Sequence, residues 1–97
     1  MNTNNVAWLM DWYNDKCDGI WEHLFGIKID SVDNPGWSIT IDLDDTYFSE
    51  LPWKYYETND NDWYGYKIEN RKFVASGDPL KLDLLIGIFK SLILKQD

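Results

Sequence analysis

The stretch Phe25-Gly26-Ile27-Lys28-Ile29-Asp30-Ser31-Val32-Asp33-Asn34-Pro35-Gly36-Trp37-Ser38-Ile39-Thr40-Ile41-Asp42-Leu43 decides how the rest of the chain is read. Phe25, Ile27 and Ile29 alternate with Gly26, Lys28 and Asp30, the period of a strand with one face buried, over about residues 24–31. Trp37, Ile39, Ile41 and Leu43 alternate with Ser38, Thr40 and Asp42 over about 37–43. Between them sits Asp33-Asn34-Pro35-Gly36, a candidate type II turn when counted from Asn34, with Pro35 at its second position and Gly36 accepting positive φ at its third. Two alternating runs joined by a turn make a β-hairpin.

Working outward, the N-terminal side has helical period. Over residues 4–16, Val6, Leu9, Met10, Tyr13 and Cys17 follow i, i+3, i+4, i+7 spacing, and Trp8 and Trp12 widen that stripe on one flank. Asp11, Asn14 and Asp15 form the polar side, and Asp18-Gly19 ends the helix. After the hairpin, residues 44–52 are a polar connection. Strands are expected near 53–58, 63–69 and 72–76, with turns at 58–62 and at Asn70-Arg71. Gly77-Asp78-Pro79 opens a last helix, Asp78 as its cap and Pro79 at its first position. Leu82, Leu85, Ile86, Phe89, Leu92 and Ile93 share one face of it and should lie on the sheet. Leu80, Leu84 and Ile88 make a second stripe, to be covered by the Trp8/Trp12 flank or by a second copy in a homodimer. The expected fold is one α+β domain over 1–97: an N-terminal helix, an antiparallel meander of four to five strands, and a C-terminal helix packed on one face.

Composition narrows the function. Seventeen acids against nine Lys and Arg give a net charge of −8 in 97 residues. That disfavours nucleic acid and anionic membranes and favours a basic partner. One cysteine allows no intrachain disulfide, the N-terminus lacks the basic start of a signal peptide, and the apolar C-terminal stretch is too short to span a bilayer. The cytoplasm is the expected compartment.

No catalytic constellation stands out, so an enzyme is not expected. Cys17 and His23 are the one nucleophile–base pair close in sequence, and they frame the alternative of a small enzyme. Asp15, Asp18 and Glu22 around the cysteine disfavour its thiolate. Metal-ligand spacings, a complete calcium loop and a phosphate-binding glycine loop are all missing, so no cofactor and no metal are expected.

What remains is the placement of carboxylates beside aromatic rings. In a meander, Asp18, Trp21, Glu22, His23, Asp44, Asp45, Glu50 and Glu69 gather at one end of the sheet. A second candidate face, at the other end, collects Asp30, Asp33, Trp37, Asp60, Asp62 and Trp63. Acids that steer an encounter, with rings that anchor it, suit capture of a basic protein surface.

Several rare residues in fixed order also resemble a known family. Trp8-Leu9-x-x-Trp12-Tyr13, Cys17-Asp18-Gly19-x-Trp21-Glu22-His23-x-x-Gly26-Ile27, Asp33-Asn34-Pro35-Gly36-Trp37 and Ile41-Asp42-Leu43 look like the bacterial immunity protein 53 family, over roughly residues 8–46. Asp62-Trp63 and Gly77-Asp78-Pro79-Leu80 add to the likeness. The resemblance implies a protein that protects a toxin-producing cell, in a polymorphic or contact-dependent toxin system, by binding the cognate toxin in a tight stoichiometric complex. It carries over no toxin-contacting residues. A basic toxin such as a nuclease follows from charge alone. A small homo-oligomeric binding module, built on the Leu80/Leu84/Ile88 stripe, is the other reading.

Overall fold

A computed structural model describes residues 4–43 and 49–95. In chain order the elements are α1 (Asn5–Lys16), α2 (Trp21–Leu24), β1 (Ile27–Val32), β2 (Gly36–Asp42), β3 (Leu51–Asn59), β4 (Asp62–Glu69), β5 (Lys72–Gly77) and α3 (Leu82–Leu94). All five strands pair antiparallel in one open sheet, so the α+β class and the two flanking helices are as the sequence reading expects.

The strand order is β1-β2-β5-β4-β3 rather than that of a meander. After β2 the chain crosses to the far edge, and β5 returns to the middle. The strand directions still alternate, so the two ends of the sheet collect the same loops as in the up-and-down arrangement. Ile39 and Ile41 on β2 pair with Ala75 and Phe73 on β5, and those pair with Tyr66 and Ile68 on β4. These side chains share one face. On it lie Leu85, Ile86 and Phe89 of α3, Leu9 and Trp12 of α1, and Trp21 of α2, which with the sheet residues make one core.

The β1–β2 hairpin is as expected, but its turn is not type II. The loop is residues 33–35, the Asn34–Pro35 bond is cis, and Gly36 already pairs with Val32 and has no positive φ. Glycine is needed at 36 for close approach: a Cβ would run into the Gly77 carbonyl oxygen and meet the Trp63 ring at 3.4 Å.

In α1 the buried arc is shifted by one residue. Leu9 and Trp12 are buried and Trp8 half-buried, whereas Val6, Met10 and Tyr13 are exposed. Cys17, the last residue of the expected stripe, is only half-buried. Both arcs include Leu9, and the one with two indoles removes more apolar area from water. Trp12 meets the Phe89 ring edge-on at 5.0 Å, and Trp8 does so at 6.0 Å. Asn5 Nδ2 donates to the Asp83 carbonyl and to its carboxylate, both at 3.2 Å, and Gly87 leaves room for the asparagine. Helix α1 therefore seats along Asp83, Gly87 and Lys90, beside the apolar stripe expected to receive it. Ile88 is half-buried against the core, Leu84 is exposed, and Leu80 precedes the helix.

Pro79 is not the first helical position either, and Asp78 does not cap α3, which begins at Leu82. Asp78 is buried and accepts hydrogen bonds from the Trp63 and Leu80 main-chain N–H groups and from Lys81 Nζ, at 2.9, 2.9 and 2.7 Å. It ties β4 to the β5–α3 connection. Burial pushes its carboxyl up, but the Lys81 ammonium and the two N–H donors outweigh that and hold it below the usual range.

Candidate functional site

The helices occupy one side of the sheet. The opposite face is made by the alternate residues: Lys28, Asp30 and Val32 on β1, Ser38 and Thr40 on β2, Val74 and Ser76 on β5, Gly65 and Lys67 on β4, and Trp53, Tyr55 and Glu57 on β3. Its middle is floored by small side chains. Its β3 side is an aromatic ridge, in which Trp53 stacks on Tyr55 at 6.4 Å and Tyr55 lies 6.4 Å from Trp63. Gly65 makes the ridge fit, since a Cβ there would meet the Trp53 ring at 2.5 Å. Every residue from Pro52 to Asn59 is exposed, so β3 is a bare edge strand on both faces. On its other face Tyr56 stacks on Tyr64 at 4.9 Å while remaining 46% exposed.

Of the first candidate group, the residues around 17–23 are engaged locally. The Glu22 carboxylate accepts from the Asp18 and Gly19 N–H groups, and Asp18 Oδ1 accepts from those of Ile20 and Trp21. The bonds from Trp21 and Ile20 hold the Asp18 carboxyl below its ordinary value. These two acids organise the turn that carries α2. Trp21 is 3% exposed and packs edge-on against Trp12 and Tyr13, so its ring belongs to the core. His23 is exposed on α2. Glu50 accepts from the Asn70 N–H, and Glu69 pairs with Lys67. Asp44 and Asp45 lie outside the described residues.

The second group divides between the faces. Trp37 lies on the helix side, with its indole N–H donating to the Pro79 carbonyl at 2.9 Å, while Trp63 lies on the open side. Asp62 pairs with Lys81, whose ammonium is stabilised first by Asp62 and then by Asp78. Asp33 and Asp60 are exposed in the two turns at this end. Asn34, Tyr55, Glu57, Asp60 and Trp63 line an open recess of about 270 Å³ there. The sequence reading included Asp60 and Trp63 but missed Trp53, Tyr55 and Glu57. The available signal was that neither parity of residues 53–58 carries an aliphatic side chain, the composition of a strand exposed on both faces.

Other recesses lie among the described residues. One of about 700 Å³ lies between α1 and the start of β1, among Leu9, Met10, Tyr13 and Ile27; one of about 420 Å³ lies beside Glu50, Trp53 and Lys67. Neither Cys17 nor His23 lines any of the three. A hydrogen bond with Cys17, and then the charge of its sulfur, raises the Tyr13 hydroxyl pKa. Among the described residues no group of three His, Cys, Asp or Glu is placed to hold a metal, and no helix is long and apolar enough to cross a membrane.

The sequence model of immunity protein 53 matches residues 6–93. No curated protein and no solved structure gives a significant match.

Proposed function

The chain belongs to the immunity protein 53 family, and from that premise we propose that it binds a cognate bacterial toxin domain and neutralises it by occlusion in a tight stoichiometric complex. The observation that carries this is the extent of the family match, 6–93 of 97 residues, which takes in all five strands, α2 and all but one terminal residue each of α1 and α3. The net charge of −8 supports a basic toxin, a nuclease being one such class; the cytoplasm is the compartment proposed for the encounter. The residues proposed for contact are those of the open face and the β3 edge, with Asp33, Asp60 and Trp63. Asp18, Glu22 and Glu50 at the other end already serve main-chain N–H groups, which leaves them less to offer a partner.

The test is genetic and biochemical. The toxin domain encoded beside this chain is expressed with and without it. Rescue of growth together with co-purification of a one-to-one complex is the expected result. Neither rescue nor a complex would end the proposal.

A further inference from the structure

We infer that the recess between Asn34, Tyr55, Glu57, Asp60 and Trp63 is a receptor for an arginine side chain, through which the partner's basic surface is anchored. The inference rests on the toxin-binding reading for the identity of the partner, but on the recess alone for the chemistry.

Three observations converge on a guanidinium. The first is shape. A space of about 270 Å³ is several times the ~30 Å³ share of a water molecule and admits a planar group with its last methylenes. The second is the lining. Two aromatic rings, Tyr55 and Trp63, stand 6.4 Å apart at 32° and offer π faces, while Glu57 and Asp60 supply carboxylates at the rim. The third is charge. Among the described residues no Lys or Arg pairs with Glu57 or Asp60, so none of the described cations neutralises these two carboxylates. The Tyr55 hydroxyl senses them: it donates to Glu57 Oε1 at 2.9 Å, and its pKa is raised by that bond and by the charges of Glu57 and Asp60.

Arginine answers this lining better than lysine. Its flat guanidinium stacks on an aromatic face and donates to carboxylates through a fixed fork. A lysine ammonium is a compact, strongly hydrated charge that gains less from two rings. Trp63 is held in place, its main chain by Asp78 and its ring over Gly36, so this wall of the recess needs little ordering when a side chain enters.

The direct test titrates the ¹⁵N-labelled protein with N-acetyl-arginine N-methylamide, and with its lysine and norleucine counterparts. The readout is the Trp63 indole N–H resonance, identified by its loss in W63F. The expected result is a saturable shift with the arginine amide, weaker with lysine, absent with norleucine, and abolished in the E57Q/D60N double variant. Both substituted residues are exposed, and an unchanged spectrum elsewhere confirms the fold. No saturable shift, an equal response to lysine or norleucine, or an equal response in the double variant would overturn the inference.

The second arm uses the cognate toxin domain. E57Q/D60N should raise the dissociation constant by about tenfold or more, and a D15N control, exposed on α1 on the other side of the sheet, should leave it nearly unchanged. Wild-type affinity in the double variant would refute the recess while sparing the toxin-binding reading. Failure of the wild-type protein to bind the toxin would refute that reading, and the arginine titration would still decide the recess.

Discussion

Replacement of Asp78 probes the joint on which the open face depends. Its carboxylate is 1% exposed and accepts from Trp63 N at 2.9 Å, Leu80 N at 2.9 Å and Lys81 Nζ at 2.7 Å. Hydrogen bonds to a charged group contribute about 1.5–3 kcal/mol each, so three of them make a gross term of roughly 5–9 kcal/mol. Against this stands the cost of burying the carboxylate, several kcal/mol, which Asp78→Ala removes. The net loss expected for Asp78→Ala is about 3–5 kcal/mol, the range for leaving a buried partner uncompensated. Asp78→Asn keeps one oxygen for a main-chain N–H and loses the charge facing Lys81, so about 2 kcal/mol is expected. Asp62→Asn removes the other Lys81 contact, but Asp62 is half-exposed, and its cost should fall well below that of the asparagine at 78. Urea unfolding followed by tryptophan fluorescence measures all three, with the slope confirming that the transition stays two-state. If Asp78→Ala lies within about 1 kcal/mol of wild type, or if Asp62→Asn costs as much, the joint does not work as described.

Other predictions address the remaining parts. Because the Asp78 carboxyl is depressed in the folded protein, its contribution is present above the unfolded value of about 3.9 and is lost as pH falls through the lower folded value. The urea midpoint should therefore drop between pH 5 and pH 2.5, and Asp78→Asn should flatten that acid limb. Phe89→Ala, which empties the position touched by Trp8, Trp12 and Phe73, should cost about 3–5 kcal/mol in the same assay. Gly65→Ala places a methyl group 2.5 Å from the Trp53 ring and 3.0 Å from the Lys54 carbonyl oxygen. It should cost about 1–3 kcal/mol and shift tryptophan emission. Glu22→Ala should lower stability by about 1 kcal/mol through loss of the Asp18 and Gly19 bonds, with toxin affinity unchanged. A large affinity loss would return the interface to that end.

The elements that could be read from sequence were those in which one pattern had no rival. Ile39, Ile41 and Leu43 alternate cleanly against polar residues, and all three are buried. The α3 face was similarly unambiguous, and Leu85, Ile86 and Phe89 fill the core. Helix α1 was less clear because two arcs of equal period overlap in it. Spacing cannot choose between Val6/Met10/Tyr13 and Trp8/Trp12; the partner helix does. The position of β5 was hidden for a related reason, since its central place comes from pairing both β2 and β4, and local alternation does not report which strands lie on either side. For the candidate surface, sequence brought Asp60 and Trp63 to one end, but it also assigned Trp37 there, since parity relative to the core was not followed across the sheet. Glu22 and Asp18 close a turn within the five residues from 18 to 22, and charge alone does not separate that role from contact with a partner.

The last strand to be made is the one in the middle. The β1–β2 hairpin is joined to the β3–β4 hairpin by main-chain pairing only through β5, so no strand ladder links the two until residues 72–77 arrive. Asn34 belongs to the first hairpin, and Tyr55, Glu57, Asp60 and Trp63 to the second. On the ribosome, then, a nascent chain holding three quarters of its residues carries every group of the recess and yet has no recess. Binding competence should switch on late and all at once. A peptide of residues 72–95 added to a chain stopped at Arg71 should restore it in trans, a split that a gradually assembled up-and-down sheet would not offer.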